Sequence, residues 1–390
     1  MPRISPFTGL VFDPAVAGPL EVVTAPPYDV IGEAERRTFL SSSPYSVVHL
    51  DLSEADRGRD RYERAAELLA TWRREGALVA SAEPSYFAYE MRFRLEARER
   101  TICGLLCALE LEDWGGRVLP HERTMPGPVE DRLRLLRATR ANLSAVYGTV
   151  SGPVLELASL LDEVTAGEPS GAMVDEEGVS HRMWPVAADP AIAGWLEDEP
   201  LLIADGHHRY TTALRYRDER RAEDGAGAWD ALLALVVDAG TEEPPVLPFH
   251  RVVGAGGAAR AGSISGQRVR DLQEVLAELD DETCTIGVVR REAGGLVHLV
   301  TTLEGGPPAV AALHERVLET GAGDDGLRFT PDPVDAESAV RSGDAGAAYL
   351  LPPTTTGRIH AVVERGDRLP QKSTFFWPKP RTGMVLRPLE

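Results

Sequence analysis

The segment LLIADGHHRYTTAL, residues 201–214, constrains the fold more than any other part of the chain. An apolar run typical of a buried strand stops at Asp205-Gly206, and a helical pattern begins at once. A strand that turns directly into a helix is a basic unit of α/β proteins. Because apolar runs and helical patterns alternate along the rest of the chain, we expect an α/β or mixed α+β fold.

Further elements and a domain boundary follow from the spacing of apolar residues and from glycine and proline. The expected elements are a strand over 45–52, a helix over 61–78 that ends near Gly76, paired strands over 85–95 and 101–111, a long loop over 114–132 that leads into a helix near 130–142, and a helix over 267–280. The segment 254–263 is rich in small residues and is the candidate linker. It would separate a domain at 1–253 from a C-terminal α/β lobe at 264–390.

Composition narrows the class of protein. Acidic residues number 61 against 41 basic ones, a net charge of −20, and this balance opposes non-specific binding to nucleic acid. No apolar stretch reaches the roughly 18 residues that a membrane span needs, and the N-terminus does not have the pattern of a signal peptide. Cys103, Cys107 and Cys284 form no C-x-x-C pair, so buried, inert thiols are expected. These features predict a cytoplasmic protein.

The turn at residues 205–209 is a candidate anion site. A helix that starts directly after a strand presents backbone N–H groups and the positive end of its dipole to a ligand. Gly206 permits a sharp turn, and Arg209 adds donors. Asp205 could cap the helix, bind Mg²⁺ or act as a base. The plain alternative is a capped turn with incidental histidines.

The adjacent histidines of this turn point in different directions on a helix. We therefore expect separate roles, with His207 contacting phosphate and His208 taking part in catalysis.

Two further segments carry candidate side chains. Pro26 and Pro27 stiffen the chain before Tyr28 and Asp29, which indicates a substrate contact at Tyr28 and a candidate base at Asp29. In the long loop, Glu122 is a second candidate for metal binding or proton abstraction, and His121 is a candidate substrate contact. The alternative for each acid is an ordinary solvated side chain. The pair His121-Glu122 does not begin a zinc-binding H-E-x-x-H motif, because the fifth residue is Met125.

Lysine occurs only twice, at Lys372 and Lys379, and both lie in PQKSTFFWPKP. A flexible ammonium suits a point contact to phosphate, where arginine is not equivalent. Lys372 beside Ser373 is the candidate clamp for a phosphate or a carboxylate. Chance clustering, and an aromatic core or interface, are the alternatives.

Five segments in this order resemble one known family over nearly the whole chain. They are APPYDV, LPHERT with a downstream DRL, IADGHHRYTTAL, LPFHRVV and LPQKSTFFWPKPRTG. They resemble the prokaryotic domain-of-unknown-function family numbered 1015. The one departure is Leu369, where methionine is expected, and that change conserves volume.

The D-G-H-x-R turn is in addition similar to that of free-serine kinases of the ParB/sulfiredoxin superfamily. This resemblance implies a ParB/sulfiredoxin-like nucleotide-binding core, ADP or ATP as phosphoryl donor, and a phosphate-binding role for residues 205–209. The catalytic glutamate of those kinases lies near their N-terminus, outside this turn. Asp29 is the first positional choice, and Glu122 is the second.

The leading hypothesis is phosphoryl transfer from ADP or ATP, with Mg²⁺, to a hydroxyl of a small metabolite such as free serine. A nucleotide hydrolase and a non-enzymatic nucleotide-sensing regulator are the alternatives. Sulfinic-acid reduction is not expected, because histidine stands where sulfiredoxins place a cysteine. The expected partners are a nucleotide and a small-molecule substrate, without nucleic acid or membrane, and a homodimer is allowed.

Overall fold

The described chain forms two compact units. The computed structural model describes residues 2–56, 58–95, 97–254, 258–293, 295–306, 308–318 and 327–390. Unit 1 comprises Met1–Pro120, Thr124–Pro244 and Pro378–Glu390, and unit 2 comprises His121–Arg123 and Pro245–Trp377. The units divide at 244/245, whereas the sequence suggested the linker 254–263, of which residues 255–257 lie outside the described part. The last segment, 378–390, belongs to unit 1.

A mixed nine-stranded sheet organises unit 1. Strands are numbered along the whole chain, and those of unit 1 are β1 (Ile4–Ser5), β2 (Leu10–Phe12), β3 (Leu78–Ala80), β4 (Ser85–Leu95), β5 (Arg98–Glu110), β6 (Val118–Pro120), β7 (Ala141–Asn142), β8 (Val146–Val150), β9 (Gly171–Val174), β10 (Ser180–Ala187), β11 (Leu201–Asp205), β12 (Ala231–Asp238) and β21 (Arg387–Pro388). The sheet order is β6-β11-β8-β12-β5-β4-β10-β9, with β1 also paired to β5. The pairs β11–β6 and β12–β8 are parallel, and the other pairs are antiparallel.

The helices of unit 1 have clear sequence determinants. They are α1 (Pro14–Ala17), α2 (Leu20–Val23), α3 (Glu33–Ser42), α4 (Val48–Asp51), α5 (Arg61–Glu75), α6 (Pro126–Thr139), α7 (Leu155–Thr165), α8 (Pro190–Trp195) and α9 (His207–Asp224). In α5, Asp60 caps the first turn by accepting from the N–H groups of residues 62 and 63, and Gly76 ends the helix with φ 77°. The predicted end near Gly76 is therefore confirmed.

The core of unit 1 consists mainly of two hydrophobic clusters. One cluster packs the sheet residues of β4, β5, β8, β11 and β12 against α7, α8 and α9, with Leu105, Leu201 and Val236 fully buried. A second cluster joins α5 to β2 and β3 through Trp72. Burial of the apolar strand before Asp205 fixes the position of the 205–209 turn at the end of a rigid strand.

Unit 2 is built on a separate antiparallel sheet of six strands. Its strands are β13 (Val246–Leu247), β14 (His250–Val253), β15 (Gln267–Val269), β16 (Thr285–Glu292), β17 (Gly295–Thr302), β18 (Leu327–Thr330), β19 (Ala347–Leu350) and β20 (Phe375–Phe376), and its helices are α10 (Ala258–Ser263), α11 (Leu272–Glu278), α12 (Ala309–Leu313), α13 (Pro333–Ser342) and α14 (Thr356–Glu364). The sheet order is β15-β17-β16-β19-β14-β18, and β13 pairs with β20. The mixed α/β class is thus confirmed for both units.

Three local predictions were wrong. The expected strand at 45–52 contains the short helix α4. Its buried residues, Val48, Leu50 and Asp51, do not follow the strict alternation of a half-buried strand. Helix α6 begins at Pro126, earlier than expected, since proline is well suited to the first helical position. The region 267–280 holds β15 before α11, and Asp271 caps α11 by accepting from the N–H of Glu274.

The cysteines and the helices bear on what the composition predicts. Cys107 and Cys284 are buried and Cys103 is partly buried. Burial raises the pKa of all three thiols, that of Cys103 to about 12, so these thiols are poor nucleophiles. Of the helices that the structure describes, none is both long enough and apolar enough to cross a membrane.

Gly104 in β5 tests the packing of the central sheet. A Cβ added at this position would lie 2.6 Å from the carbonyl oxygen of Val236 on β12. We expect Gly104→Ala to lower the free energy of unfolding by about 1–3 kcal/mol, because the strands must separate to admit the methyl group. Urea unfolding measures this change. Gly116→Ala, where the nearest atom is 3.7 Å away, is the control and should change stability little. Equal stability of the two variants would contradict the packing described.

Candidate functional site

The turn after β11 has the geometry that the sequence predicted. Strand β11 ends at Asp205, Gly206 adopts φ 96°, and α9 begins at His207. A Cβ at Gly206 would lie 3.1 Å from the guanidinium of Arg209. Both the left-handed backbone and this close approach require glycine. The first N–H groups of an 18-residue helix therefore point out of the turn, beside a strand end.

Arg209 folds back onto its own turn. Its Nη2 donates to Oδ2 of Asp205 at 2.5 Å, and its Nη1 donates to Oγ of Ser144 at 3.0 Å and to the carbonyl of Ala145. The Arg209 side chain is only 11% exposed. These contacts make Arg209 a rigid positive charge behind the turn.

The two histidines of the turn have different surroundings. His207 is buried, and its ring stacks on Trp114 with centroids 6.1 Å apart. Nε2 of His208 accepts a hydrogen bond from the N–H of Met125, the N-cap of α6, at 3.0 Å. With Nε2 as acceptor, the proton of a neutral His208 is on Nδ1. The expectation of separate roles agrees with this geometry, and the specific phosphate and catalytic roles stay predictions.

Lys379 supplies a second positive charge at the turn, and sequence reasoning missed it. Its Nζ donates to Oδ1 of Asp205 and lies 4.0 Å from Oδ2 of Asp29. Burial lowers the pKa of Lys379, but the charges of Asp205 and Asp29 outweigh burial and hold the pKa above its ordinary value. The ammonium therefore stays protonated. A usable signal was present, because Pro378 and Pro380 flank Lys379 just as Pro26 and Pro27 precede Asp29.

Backbone pairing brings Asp29 and Lys379 together. Ala25 and Thr382 exchange two hydrogen bonds, of 3.1 and 2.8 Å, so the APPYDV and PKPRTG segments lie side by side. One residue before Thr382, the N–H of Arg381 donates to the hydroxyl of Tyr89 at 3.1 Å. These main-chain contacts fix the position of the backbone from which the Lys379 side chain extends.

A buried relay extends behind this segment. The Tyr89 hydroxyl lies 2.8 Å from Nδ1 of His181, and Nε2 of His181 lies 2.9 Å from Oδ2 of Asp175. Since Tyr89 accepts from Arg381, its own proton points to Nδ1, and the imidazole proton is on Nε2. Burial lowers the pKa of His181 despite the opposing effect of Asp175, which favours the neutral ring that this relay requires.

A second charged cluster lies beside Tyr28. The Arg132 guanidinium is 4.1 Å from the centre of the Tyr28 ring, and its Nη1 donates to Oδ1 of Asp51 at 2.7 Å. Burial raises the pKa of Tyr28 and that of Asp51, while Arg132 and Arg209 oppose the increase. Arg132 lies in the DRL segment, for which the sequence predicts no role. Asp51 lies in the segment 45–52, for which the sequence predicts a strand.

A cavity of about 50 Å³ adjoins this second cluster. Its polar lining comes from Asp51, Arg132, Asn142, Ser144, Arg209 and Thr212. Oδ2 of Asp51 is buried and has no hydrogen-bond partner among the described residues. A polar cavity of this size is suited to a water molecule.

The other predicted site residues belong to unit 2 and lie together there. Oε1 of Glu122 accepts from the N–H of Lys372 at 2.6 Å. Nε2 of His121 lies 2.7 Å from Oγ1 of Thr374. The Ser373 hydroxyl donates to the carbonyl of Pro370 at 2.5 Å, so its proton is committed within the chain. The predicted roles of His121, Glu122, Lys372 and Ser373 in catalysis or binding stay predictions.

Arg251 connects the chain segments around Phe249 and Lys372 in unit 2. It is fully buried and donates to the carbonyls of Phe249, Gln371 and Lys372. Burial lowers the pKa of Arg251 to about 9, although Glu122 opposes the decrease. Lys372 has φ 53°, an uncommon conformation for a residue with a side chain. Arg251 and Glu122 together stabilise this conformation of Lys372. Parts of three of the five segments noted in the sequence, LPHERT, LPFHRVV and LPQKSTFFWPKPRTG, therefore meet in unit 2.

The donor set at Asp205 bears on the expected Mg²⁺. Lys379 occupies one carboxylate oxygen and Arg209 the other. A divalent cation at Asp205 would therefore have to bind beside two positive side chains, whose charges oppose it. This arrangement does not favour a metal ion, and nothing else bears on Mg²⁺ at Asp205, which stays a prediction.

Comparison with known proteins gives a family and distant structural likenesses. A family model described as "Protein of unknown function (DUF1015)" matches residues 4–283. No curated protein matches the chain. A free serine kinase in complex with AMP is similar at 13% identity and a TM-score of 0.38, over 66% of this chain and 83% of that chain.

Two other solved structures are similar to the same degree. A conserved hypothetical protein from Pyrococcus furiosus has 14% identity and a TM-score of 0.37, over 67% of this chain and 90% of its own. SbnI with a C-terminal truncation, from Staphylococcus aureus, has 13% identity and a TM-score of 0.39, over 71% of this chain and 85% of its own. Likenesses at this level establish no shared mechanism.

Lys379→Met tests the buried ion pairs. We expect a loss of roughly 3–5 kcal/mol in the free energy of unfolding at pH 7.5, because Asp205 loses a buried partner. The wild-type pKa of Lys379 is raised, so its contribution is complete below its unfolded pKa and is lost only as pH rises through the higher folded value. The wild type should therefore show no change from this lysine between about pH 6 and 9.

The variant should behave differently with pH. Without the ammonium, the carboxylates gain by taking up protons, so the deficit of Lys379→Met should shrink as pH falls toward about 5. Urea unfolding at several pH values measures both effects. Asp205→Asn/Lys379→Met is the matched control and should recover part of the lost stability at pH 7.5. A Lys379→Met variant as stable as the wild type at every pH would contradict the ion pairs.

Proposed function

The chain belongs to the DUF1015 family of proteins of unknown function, and we propose that it is a nucleotide-dependent phosphotransferase acting on a small hydroxylated metabolite. The donor would be ADP or ATP, and free serine is the first acceptor to test. Both choices come from the similarity of the D-G-H-x-R turn to that of free-serine kinases. The proposal places the reaction in unit 1 and the protein in the cytoplasm.

One observation carries the proposal. The Lys379 ammonium contacts Asp205 and lies 4.0 Å from Asp29, at the turn where α9 begins. Phosphoryl transfer needs positive charge and oriented donors for phosphate oxygens, together with a carboxylate that can accept a hydroxyl proton. Lys379, the start of α9 and Asp29 supply these three requirements within one region of unit 1.

The start of α9 is the proposed phosphate site. Backbone N–H groups in the first turn and the positive end of the helix dipole favour a polyphosphate. Gly206 has no side chain, so the ligand can approach the backbone closely. Arg209, held rigidly behind the turn, adds long-range positive charge.

Asp29 is the proposed general base. Both oxygens of Asp205 already accept from cations, and its side chain is 13% exposed against 27% for Asp29. Asp29 is thus the more accessible acid, and Pro26 and Pro27 limit the freedom of its segment. Asp205 would act as a positioning residue that holds Lys379 and Arg209.

A turnover assay tests the proposal. Purified protein is incubated with ADP or ATP, Mg²⁺ and a panel of hydroxylated metabolites that includes free serine, and products are identified by mass spectrometry. We expect a phosphorylated acceptor, with phosphate release alone much slower. Phosphate release that is independent of every acceptor would instead identify a hydrolase. Nucleotide binding without turnover of any kind would identify a regulator and would refute the transfer reaction.

Asp29→Asn separates chemistry from binding. We expect kcat to fall by about 10²–10⁴-fold, because the variant cannot accept the hydroxyl proton, while the nucleotide Kd changes little. Asp162→Asn, on the exposed face of α7, is the matched control and should retain wild-type kcat. Wild-type kcat in Asp29→Asn would exclude Asp29 as the base.

A further inference from the structure

Unit 1 contains a second, larger cavity that plays no part in the proposed reaction. Its volume is about 770 Å³, and β2, α2, β4, β9 and β10 contribute to its walls. Phe87 on β4 and Pro185 on β10 are register partners in the sheet and both line it. Small-molecule sites commonly enclose about 300–1,000 Å³, so this cavity can hold a ligand of that class.

The cavity is lined mainly by apolar side chains. Phe12, Leu20, Phe87, Met183 and Met384 all contribute to the lining, and four of them are buried, Leu20 being partly buried. Methionine and aromatic side chains adapt well to an apolar ligand. The lining therefore suits an apolar body of aromatic or aliphatic carbon.

The hydroxyl groups of the cavity can only accept further hydrogen bonds. Ser81 and Ser85 donate to the carbonyl of Glu83, at 3.1 and 3.2 Å, and Ser170 donates to the carbonyl of Met183 at 3.0 Å. Each hydroxyl has a single proton, so only lone pairs remain for a ligand. A ligand that contacts these hydroxyls must donate.

The charged side chains of the cavity also favour a ligand that donates hydrogen bonds. The carboxylates of Glu21 and Glu83 line the cavity and are exposed. Among the described residues, neither carboxylate forms a salt bridge, and no lysine, arginine or histidine lines the cavity. The polar side chains of the lining thus offer acceptors and negative charge, which disfavours an anionic ligand.

We propose that this cavity binds a small amphiphilic cation, an ammonium or amidinium group attached to an apolar body. The apolar body occupies the space between Leu20, Phe87 and Met384, and the cationic group lies near Glu21 and Glu83. This site is separate from the proposed phosphotransferase reaction and does not depend on it. The ligand has the opposite charge to a nucleotide, so the two sites can be tested independently.

Three probes that share one apolar body test the charge preference. Isothermal titration of the full-length protein at pH 7 is carried out with 4-phenylbutylamine, 4-phenylbutanol and 4-phenylbutyrate, in the absence of nucleotide. We expect binding of one amine per chain, about tenfold weaker binding of the alcohol, and no measurable binding of the carboxylate. Equal binding of amine and carboxylate, or no binding of the amine, would overturn the proposal.

Paired variants locate the binding. Ala172 on β9 is exposed and lines the cavity, so Ala172→Trp should fill part of it and abolish amine binding. Val174 is 56% exposed on the same strand and does not contribute to the lining described, so Val174→Trp is the matched control and should bind as the wild type does. Undiminished binding in Ala172→Trp would place the amine elsewhere and refute the site.

A charge variant tests the role of the carboxylates. In Glu21→Gln/Glu83→Gln, we expect amine and alcohol to bind with similar affinity, because the preference for the cation is removed. Circular dichroism and thermal unfolding confirm that the variants remain folded. A double variant that keeps the full preference for the amine would exclude these carboxylates as the source of selectivity.

Discussion

The contact of the Lys379 ammonium with Asp205 joins parts of unit 1 that are far apart in sequence. The two residues are separated by 174 positions, and Asp29 lies on a third segment, 4.0 Å from the same nitrogen. An isolated charge at this depth would be costly, whereas each charge here has an opposite neighbour. The proposed site therefore depends on the simultaneous presence of all three segments.

The surrounding fold explains how such a network is held in place. Strand β11, which lies between β6 and β8 in the sheet, ends at Asp205, and the Ala25–Thr382 pairing aligns the other two segments. Behind Arg381, hydrogen bonds from Tyr89 through His181 to Asp175 hold the backbone in place. Rigid support of this kind keeps donors in position for a charged ligand, and electrostatic catalysis depends on it.

Local patterns predicted a large part of this arrangement. The mixed α/β class, the turn at Gly206 and the helix that ends at Gly76 follow from residue spacing and backbone preference alone. The partner of Asp205 could not be predicted in the same way, because an ion pair across 174 residues leaves no periodic signal. Lys372 and Lys379 were equally suitable on composition. The prolines that flank Lys379 were a local signal, but its place beside Asp29 depends on the pairing of Ala25 with Thr382, which is tertiary. Helix α4 was missed because a short apolar run does not by itself distinguish a strand from a helix.

The central claim is that a nucleotide places its phosphates at the start of α9, next to Lys379. A crystal structure of the protein with bound ADP tests this most directly. We predict a phosphate oxygen about 3 Å from backbone nitrogens in the 206–208 turn, with the Lys379 ammonium nearby. A nucleotide bound elsewhere on the chain, with the 205–209 turn unoccupied by phosphate, would contradict the account.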